Sequence, residues 1–579
     1  MMASSCGIGF GWEFQPRWQN FDKEHQMIID LRFDGNKHSH IELEAAKPIR
    51  EILKGTDIPA DRILSYKIDH VRYVNDEYTP TQNMLVDCIS YNHPEGSRIY
   101  QDSVIFILAK ALNAILGAGH ALVIEHSIGD GVFCEVFGTQ SWTPNDCQRV
   151  KEEMLRIVEG DLPIDKILVK TREALEIFST MGRKDVIKNL QYRFSEEVYV
   201  YRCGKYYDRF LRPLADRTGM VREFDVVYKE TGFVLRFPTG RECRLAQPFV
   251  LPEKIFQLHQ EHDKWLDILR VHNIIDINKL TDNYEISEFI LVEEALHEKK
   301  IAEIAADIVK HPEVKLILIA GPSSSGKTTF AKRLSIQLQA SKAKPNVVGL
   351  DDYFIDRDKT VRKDSGEFDF ESIYALDLEY LNKQLTQLLN GEEVELPHYD
   401  FTRGMRRRSN KIIRLREEDV IVMEGIHGLN DELTAAIPAN RKAKIYVSAL
   451  NQLNIDNHNR VATTDCRLLR RMIRDHQYRG YTATETMLRW PSVREGEEKN
   501  IFPYQENADY MFNSSLTYEL GVLRKHAWKL LLSVPKSSAA YTEAQRLLAL
   551  LANVNDIPDA LVPYNSIIRE FTNGSIFRY

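Results

Sequence analysis

Gly321-Pro322-Ser323-Ser324-Ser325-Gly326-Lys327-Thr328 satisfies the pattern G-x-x-x-x-G-K-[ST] at every fixed position. Before it, Lys315 to Ala320 (KLILIA) is a short apolar, β-branched run of the kind a buried parallel strand uses. After it, Thr329 to Ala340 (TFAKRLSIQLQA) carries apolar residues at helical spacing. The stretch therefore reads as strand, loop and helix of an α/β domain. Glycines let backbone N–H groups curl round a phosphate, and the helix N-terminus adds partial positive charge. Lys327 reaches the terminal phosphates and Thr328 is placed for Mg²⁺. Gly321, Ser323, Ser324, Ser325, Gly326, Lys327, Thr328 and Thr329 form the candidate nucleotide-binding set.

Two further apolar runs point to the same sheet. Val347 to Leu350 delivers Asp351-Asp352-Tyr353-Phe354 to the carboxyl edge, where open α/β sheets bind ligands. Val420 to Met423 ends in Glu424-Gly425, a carboxylate suited to Mg²⁺ directly or through water. On position alone, each acid fits helix capping equally well. Asp465 to Gly480 reads as a helix rich in arginine, with Arg467, Arg470, Arg471, Arg474 and Arg479. Arg467 and Arg471, four apart, share a face. About half of these side chains are expected in solvent. Arg403 and Arg406 to Arg408 read as a charged loop between strands, with contact to a phosphate as the alternative.

The totals bound the rest. A chain of 579 residues, 43% hydrophobic and 28% charged, has the composition of a soluble protein of about three or four domains. Its net charge of −8 argues against a protein devoted to wrapping nucleic acid. Seven scattered cysteines without a C-x-x-C pair fit a reducing cytoplasm better than a disulfide framework or a zinc site. The start, MMASSCGIGFGWEFQ, lacks the charged and apolar regions of a signal peptide. Ser103 to Ile124 is the most apolar stretch, but Lys110, Asn113 and His120 interrupt it and Gly117-Ala118-Gly119 divides it. A helix followed by a strand is expected there rather than a membrane span.

In the first half, Met27 to Phe33 and Ile41 to Leu43 read as strands around the turn Asp34-Gly35-Asn36, followed by the helical Pro48 to Lys54. A helix over Ser103 to Leu116 precedes strands at His120 to His126 and Val132 to Phe137. His38 and His40 share a strand face without a third ligand nearby, so solvated side chains are expected. This hairpin module, the S-x-I-Y-x-D-S pattern, EHSIGDGVFCEV and YRCGKYYDRFLRPL together resemble the N-terminal region of threonyl-tRNA synthetases, over about residues 25 to 240. In that family an H-x-x-x-H pair and a later Cys and His serve the editing of tRNA. The resemblance places those positions on Asp102, Phe106, Phe210 and Leu214, whereas Gly204, Asp208 and Pro213 are kept. Phenyl rings and a leucine neither bind metal nor shuttle protons, so no editing is expected. Contact with tRNA or a small ligand is the role left open. Pro252 to Leu269 and Ile286 to Val309 read as helices bridging the two halves.

In the second half, GPSSSGKTT, DDYF, EFDF (Glu367 to Phe370), LPHYDF (Leu396 to Phe401), VMEGI (Val422 to Ile426) and DCRLLRRMIRD (Asp465 to Asp475) follow in order. This series resembles the uridine kinase and phosphoribulokinase family over about residues 312 to 520. The tail PYNSIIREFTNGS (Pro563 to Ser575) is similar to bacterial nucleoside kinases with a synthetase-like front half. The resemblance implies Asp351 as the base for the substrate hydroxyl, with Asp352 its near rival. It implies Lys327, Arg467 and Arg471 at the reacting phosphates, Arg474 on ATP, and Thr328, Glu424 and Asp351 around Mg²⁺. Substrate contacts would come from Asp352, Tyr353, Asp369, Glu371, Tyr399 and Arg479. Pyrimidine-specific relatives carry a histidine shortly after YDF where this chain has Thr402-Arg403-Gly404-Met405, which leaves the base open.

The expected layout is an extension (1–24), a TGS-like β-grasp module (25–95), an editing-like α+β domain (96–245), a helical connector (246–310), a P-loop kinase domain with helices on both sheet faces (311–530) and a C-terminal helix and tail (531–579). The expected activity is ATP- and Mg²⁺-dependent phosphorylation of a nucleoside, uridine or cytidine first, by a cytoplasmic homo-oligomer. A kinase of another small hydroxylated substrate, such as a phosphorylated sugar, and a nucleotide-binding RNA regulator are the alternatives.

Overall fold

The structure, a computed structural model, describes residues 27–33, 37–93, 95–138, 142–193, 195–362, 366, 368–400 and 402–578. The extension 1–24, the turn at Asp34 to Asn36, and the motif residues Glu367 and Phe401 lie outside the described residues. The chain forms two compact units, Met1–Phe249 with Asn454–Arg460, and Val250–Leu453 with Val461–Tyr579.

The second unit is built on five parallel strands in the order Lys344–Gly349, Asp419–Glu424, Leu316–Ala320, Lys442–Ser448 and Tyr510–Asn513. The P-loop strand LILIA is central and buried at every residue, so both of its faces must be covered. The P-loop helix Lys327–Ala340 follows it. The strand expected at Val347 to Leu350 instead runs Lys344–Gly349, and Leu350–Tyr353 turns as a short 3₁₀ helix that presents the two aspartates.

Two expectations are corrected in this unit. Ile286–Val309 is not a bridge between halves but one of its packed helices, with Ile290, Ile301, Ile304 and Ile308 buried. Arg333 of the P-loop helix, fully buried, donates to Glu298 at 2.7 Å and pairs with Glu294 at 3.4 Å, both on that helix. Arg406 to Arg408 lie in a strand rather than a loop, while Arg403 stays in the turn before it: Met405–Ile413 pairs antiparallel with Val394–Asp400, setting Arg406 opposite Tyr399 and Arg408 opposite Pro397.

The first unit holds a five-stranded sheet in the order Lys37–Leu43, Met27–Phe33, Met84–Ser90, Ile63–Ile68 and Arg72–Val74, with the helix Ile49–Leu53. A four-stranded sheet and a three-stranded sheet follow. Helix Gly96–Leu116 is succeeded by strand Ala121–Ile128, as its glycines imply. By length and composition alone Gly96–Gly119 could cross a membrane, but Val104, Phe106, Leu108 and Leu112 lie in the hydrophobic core of this unit. Asp102 accepts two hydrogen bonds from Arg212, at 2.5 and 2.6 Å, and the ring of Phe106 meets that of Phe210 at 6.1 Å. Leu214 is buried in the same core. His40 contacts Asp30 on the neighbouring strand.

The segment Asn454–Arg460, which the sequence does not announce as separate, completes a buried charge network within this unit. Asp208, fully buried, pairs with Arg183 and with His458 at 2.7 Å, and accepts from the hydroxyl of Tyr206 at 2.8 Å. Burial alone would raise the carboxyl pKa of Asp208; Arg183 and His458 outweigh it and hold the group ionised. Removing one member strands the others. Asp208→Ala is therefore expected to cost about 3 to 5 kcal/mol, read as a lowered urea midpoint for the first unfolding transition of the full chain.

Candidate active site

The P-loop geometry follows from its glycines. A Cβ on Gly321 would lie 1.9 Å from the carbonyl oxygen of Val447, and Gly326 has φ +79°, so only glycine fits without strain. The Ser324 and Ser325 hydroxyls are buried without a hydrogen-bond partner, as expected of groups that meet a ligand. Lys327 Nζ donates to the carbonyl of Pro322 at 3.0 Å. Burial pulls its pKa down, while Glu424 works in the opposite direction.

Behind the loop, Thr328 Oγ1 donates to Glu424 Oε1 at 2.9 Å. Asp351 is open to solvent yet walled by protein and acids. Burial, and then the Glu424 carboxylate, push its pKa up to about 6, against the pull of Lys327. A base nearer neutrality accepts a proton more effectively. Asp352 is already engaged: its Oδ1 accepts the Tyr399 N–H at 3.1 Å and lies 3.1 Å from His398 Nδ1. That engagement separates the rival aspartates. Asp352 anchors the hairpin, whereas Asp351 stays open to solvent.

The arginine helix spans Thr463–Arg479, and its arginines divide by position. Arg471 donates to Ser323 Oγ at 2.6 Å and reaches Asp475. Arg467 is 1% exposed: Nε donates to the Ser323 carbonyl at 2.9 Å, and Nη2 pairs with Glu497, which accepts the Ser323 N–H at 2.8 Å. So Arg467 braces the P-loop from behind and is not an open clamp. Arg470 does the same at the Ser324 carbonyl and pairs with Glu519. Arg474 pairs with Glu570 at 3.5 Å, and Arg479 donates to Asp475 at 3.1 Å.

The remaining substrate candidates also divide. Glu371 sits beside the loop, its pKa raised by burial against the pull of Arg471 and Lys327, with its side chain packed on Gly496. The Asp369 carboxylate accepts the Glu371 N–H at 3.3 Å and acts electrostatically on His427. Tyr353 does not reach the site: it is 1% exposed and donates to Gln384 at 2.9 Å in the core. Tyr399 is likewise buried, its ring 5.5 Å from Phe354. Glu497 and Glu570 went unrecognised in the sequence because no local motif marks them.

Thr328 and Glu424 offer adjacent hard oxygen donors, with Asp351 close enough to feel the Glu424 charge, and this set fits a hard divalent cation such as Mg²⁺. Among the described residues, no group of three or more His, Cys, Asp or Glu side chains forms a metal cage.

A central parallel strand, a phosphate loop, a half-buried lysine, a Thr–Glu pair and an aspartate beside them define a P-loop phosphotransferase. A profile of the Phosphoribulokinase / Uridine kinase family matches residues 316–520. A uridine kinase of Staphylococcus haemolyticus is 32% identical over 165 residues, 28% of this chain and 70% of the relative. A uridine kinase of Halalkalibacterium halodurans is 29% identical over 178 residues, 31% of this chain and 75% of the relative. A solved structure described as a possible uridine kinase from Bacillus stearothermophilus is 20% identical and covers 37% of this chain and 98% of its own, with a TM-score of 0.26. The chain belongs to the phosphoribulokinase and uridine kinase family.

Proposed function

We propose that this protein transfers the γ-phosphoryl group of ATP to the 5′-hydroxyl of a nucleoside, giving the nucleoside monophosphate. The convergence of Lys327, Thr328, Asp351 and Glu424 at one sheet edge carries this reading. Asp351 takes the proton of the substrate hydroxyl as it attacks phosphorus. The P-loop amides, Lys327 and Arg471 hold the phosphates and balance their charge. Mg²⁺ held by Thr328 and Glu424 would add charge neutralisation at the same phosphates. Glu371, beside the loop, is placed for a ribose hydroxyl.

The hairpin arginines support a nucleoside over a phosphorylated sugar. Arg406 pairs with Asp377 at 2.9 Å and Arg407 with Asp400 at 3.4 Å, so these charges are already matched. Uridine or cytidine is the proposed acceptor. In the front half, the ordering of the five strands round the helix Ile49–Leu53 supports a TGS-like β-grasp module. An editing-like domain follows it, with contact to tRNA or a small ligand as its proposed role. We place the protein in the cytoplasm as a homo-oligomer; the buried free thiols of Cys88, Cys134, Cys203 and Cys466 suit a reducing compartment.

The test is ATP consumption with Mg²⁺ against a panel of nucleosides, ribulose 5-phosphate and no acceptor, with products weighed by mass spectrometry. UMP or CMP is the expected product. A bisphosphorylated sugar would move the assignment to the phosphoribulokinase branch. ATP binding without any phosphorylated acceptor, together with salt-dependent tRNA binding, would replace the enzyme by an RNA-dependent regulator.

A further inference from the structure

The C-terminal segment, for which the sequence offered no role, reaches the P-loop. Ile567 lies so close to Gly326 that a Cβ there would be 2.5 Å from its Cγ2. On the short helix Arg569–Thr572, Glu570 is 5% exposed. Its Oε2 accepts from Thr329 Oγ1 at 2.6 Å and lies 3.4 Å from Thr329 N, and its Oε1 pairs with Arg474 Nη1 at 3.5 Å. The segment is built into the fold: Arg569 donates to the carbonyls of Asp559 and Val562, both at 2.7 Å, and the Arg470 guanidinium stands 5.1 Å from the Phe571 ring.

Thr329 directly follows the G-K-T of the loop, and its amide belongs to the first helical turn, whose N–H groups face bound phosphates. The short bond of Glu570 goes to the threonine hydroxyl. The Thr329 N–H also donates to that carboxylate oxygen, at 3.4 Å, so one carboxylate ties down both polar groups of the residue. The same carboxylate meets Arg474 at Nη1, at 3.5 Å, and the Nε of that arginine is buried without a partner. A guanidinium held by one edge offers its other donors to an anion in a set direction. A buried orphan donor beside a phosphate loop is explained by a ligand better than by packing.

We propose that Glu570 is an ATP-positioning residue, which ties the C-terminal segment to Thr329 and aims Arg474 at the nucleotide. The inference rests on the kinase reading and deepens it, because it makes the tail part of the nucleotide site.

Full-length wild type, Glu570→Gln, Arg474→Ala and the double variant are compared by steady-state kinetics and by direct ATP titration without acceptor. Gln keeps the shape and can still accept from Thr329, but it cannot pair with a charged Arg474. Glu570→Gln is expected to raise KM for ATP and Kd for ATP about tenfold, with kcat within about threefold and the acceptor KM unchanged. Arg474→Ala should match it, and the double variant should be no worse than the poorer single, since both remove one linked contact. A merely structural role would lower Tm without this split. Unchanged ATP affinity in Glu570→Gln, tighter ATP binding, or additive losses in the double variant would each overturn the proposal. Should Glu570→Gln fold poorly, Arg474→Lys provides the same reading, because a lysine cannot use both edges. A wild type that binds ATP but phosphorylates no nucleoside would defeat the kinase reading, and the titration would still judge Glu570.

Discussion

Asp351→Asn is expected to lower kcat about 10³-fold while KM for ATP changes less than about twofold. The asparagine keeps the shape of the side chain but loses the basicity that a proton acceptor requires. ATP affinity should hold because the P-loop contacts run through Lys327, Thr328, Ser323 and the arginine helix. Asp352→Asn is the informative contrast. Its carboxylate is occupied by the Tyr399 amide and His398, so the loss should appear in hairpin anchoring and acceptor KM. Pre-steady-state measurement of the phosphoryl-transfer step checks both. Equal kcat losses in the two variants would mean that the aspartates share the role and that the engagement of Asp352 does not decide it.

What could be read from the sequence was what lies close together along the chain. G-x-x-x-x-G-K-T, the apolar strand before it and the acid after each later strand are local signals, and the structure gathers Lys327, Thr328, Asp351 and Glu424 as those signals imply. What escaped depends on distant partners. Glu497 meets Ser323 across 174 positions, and Glu570 meets Thr329 across 241. No spacing rule connects such pairs. Tyr353 differs for another reason: the 3₁₀ turn Leu350–Tyr353, which no local sequence signal announces, carries its side chain into the core beside Gln384. The arginine helix shows both cases. Its composition announces phosphate chemistry, yet only tertiary partners reveal that Arg467 and Arg470 hold the loop's carbonyls while Arg471 meets the Ser323 hydroxyl and Arg474 pairs with Glu570. The mixed charge of Ile286–Val309 reads as a helix bridging the halves, whereas the helix packs within the second unit. Two of those charges, Glu294 and Glu298, are there to receive the buried Arg333.

Lys327→Ala should produce the other large loss, about 10³-fold in kcat with weakened ATP binding, because it removes the loop's cation, which balances charge on the transferred phosphoryl group. Its effect on stability should run the opposite way. The ammonium donates to the Pro322 carbonyl, and burial disfavours its charged form, which appears as a lowered pKa. A charge that burial disfavours contributes little to the unliganded fold, so the alanine variant should melt no lower than wild type in the absence of ATP. With saturating ATP and Mg²⁺ the wild type should gain stability by mass action and the variant should gain far less. Thermal melts with and without nucleotide separate the two effects. A variant that melts well below wild type before any nucleotide is added would assign Lys327 to the architecture of the loop, and its kinetic loss could then no longer be charged to the transition state.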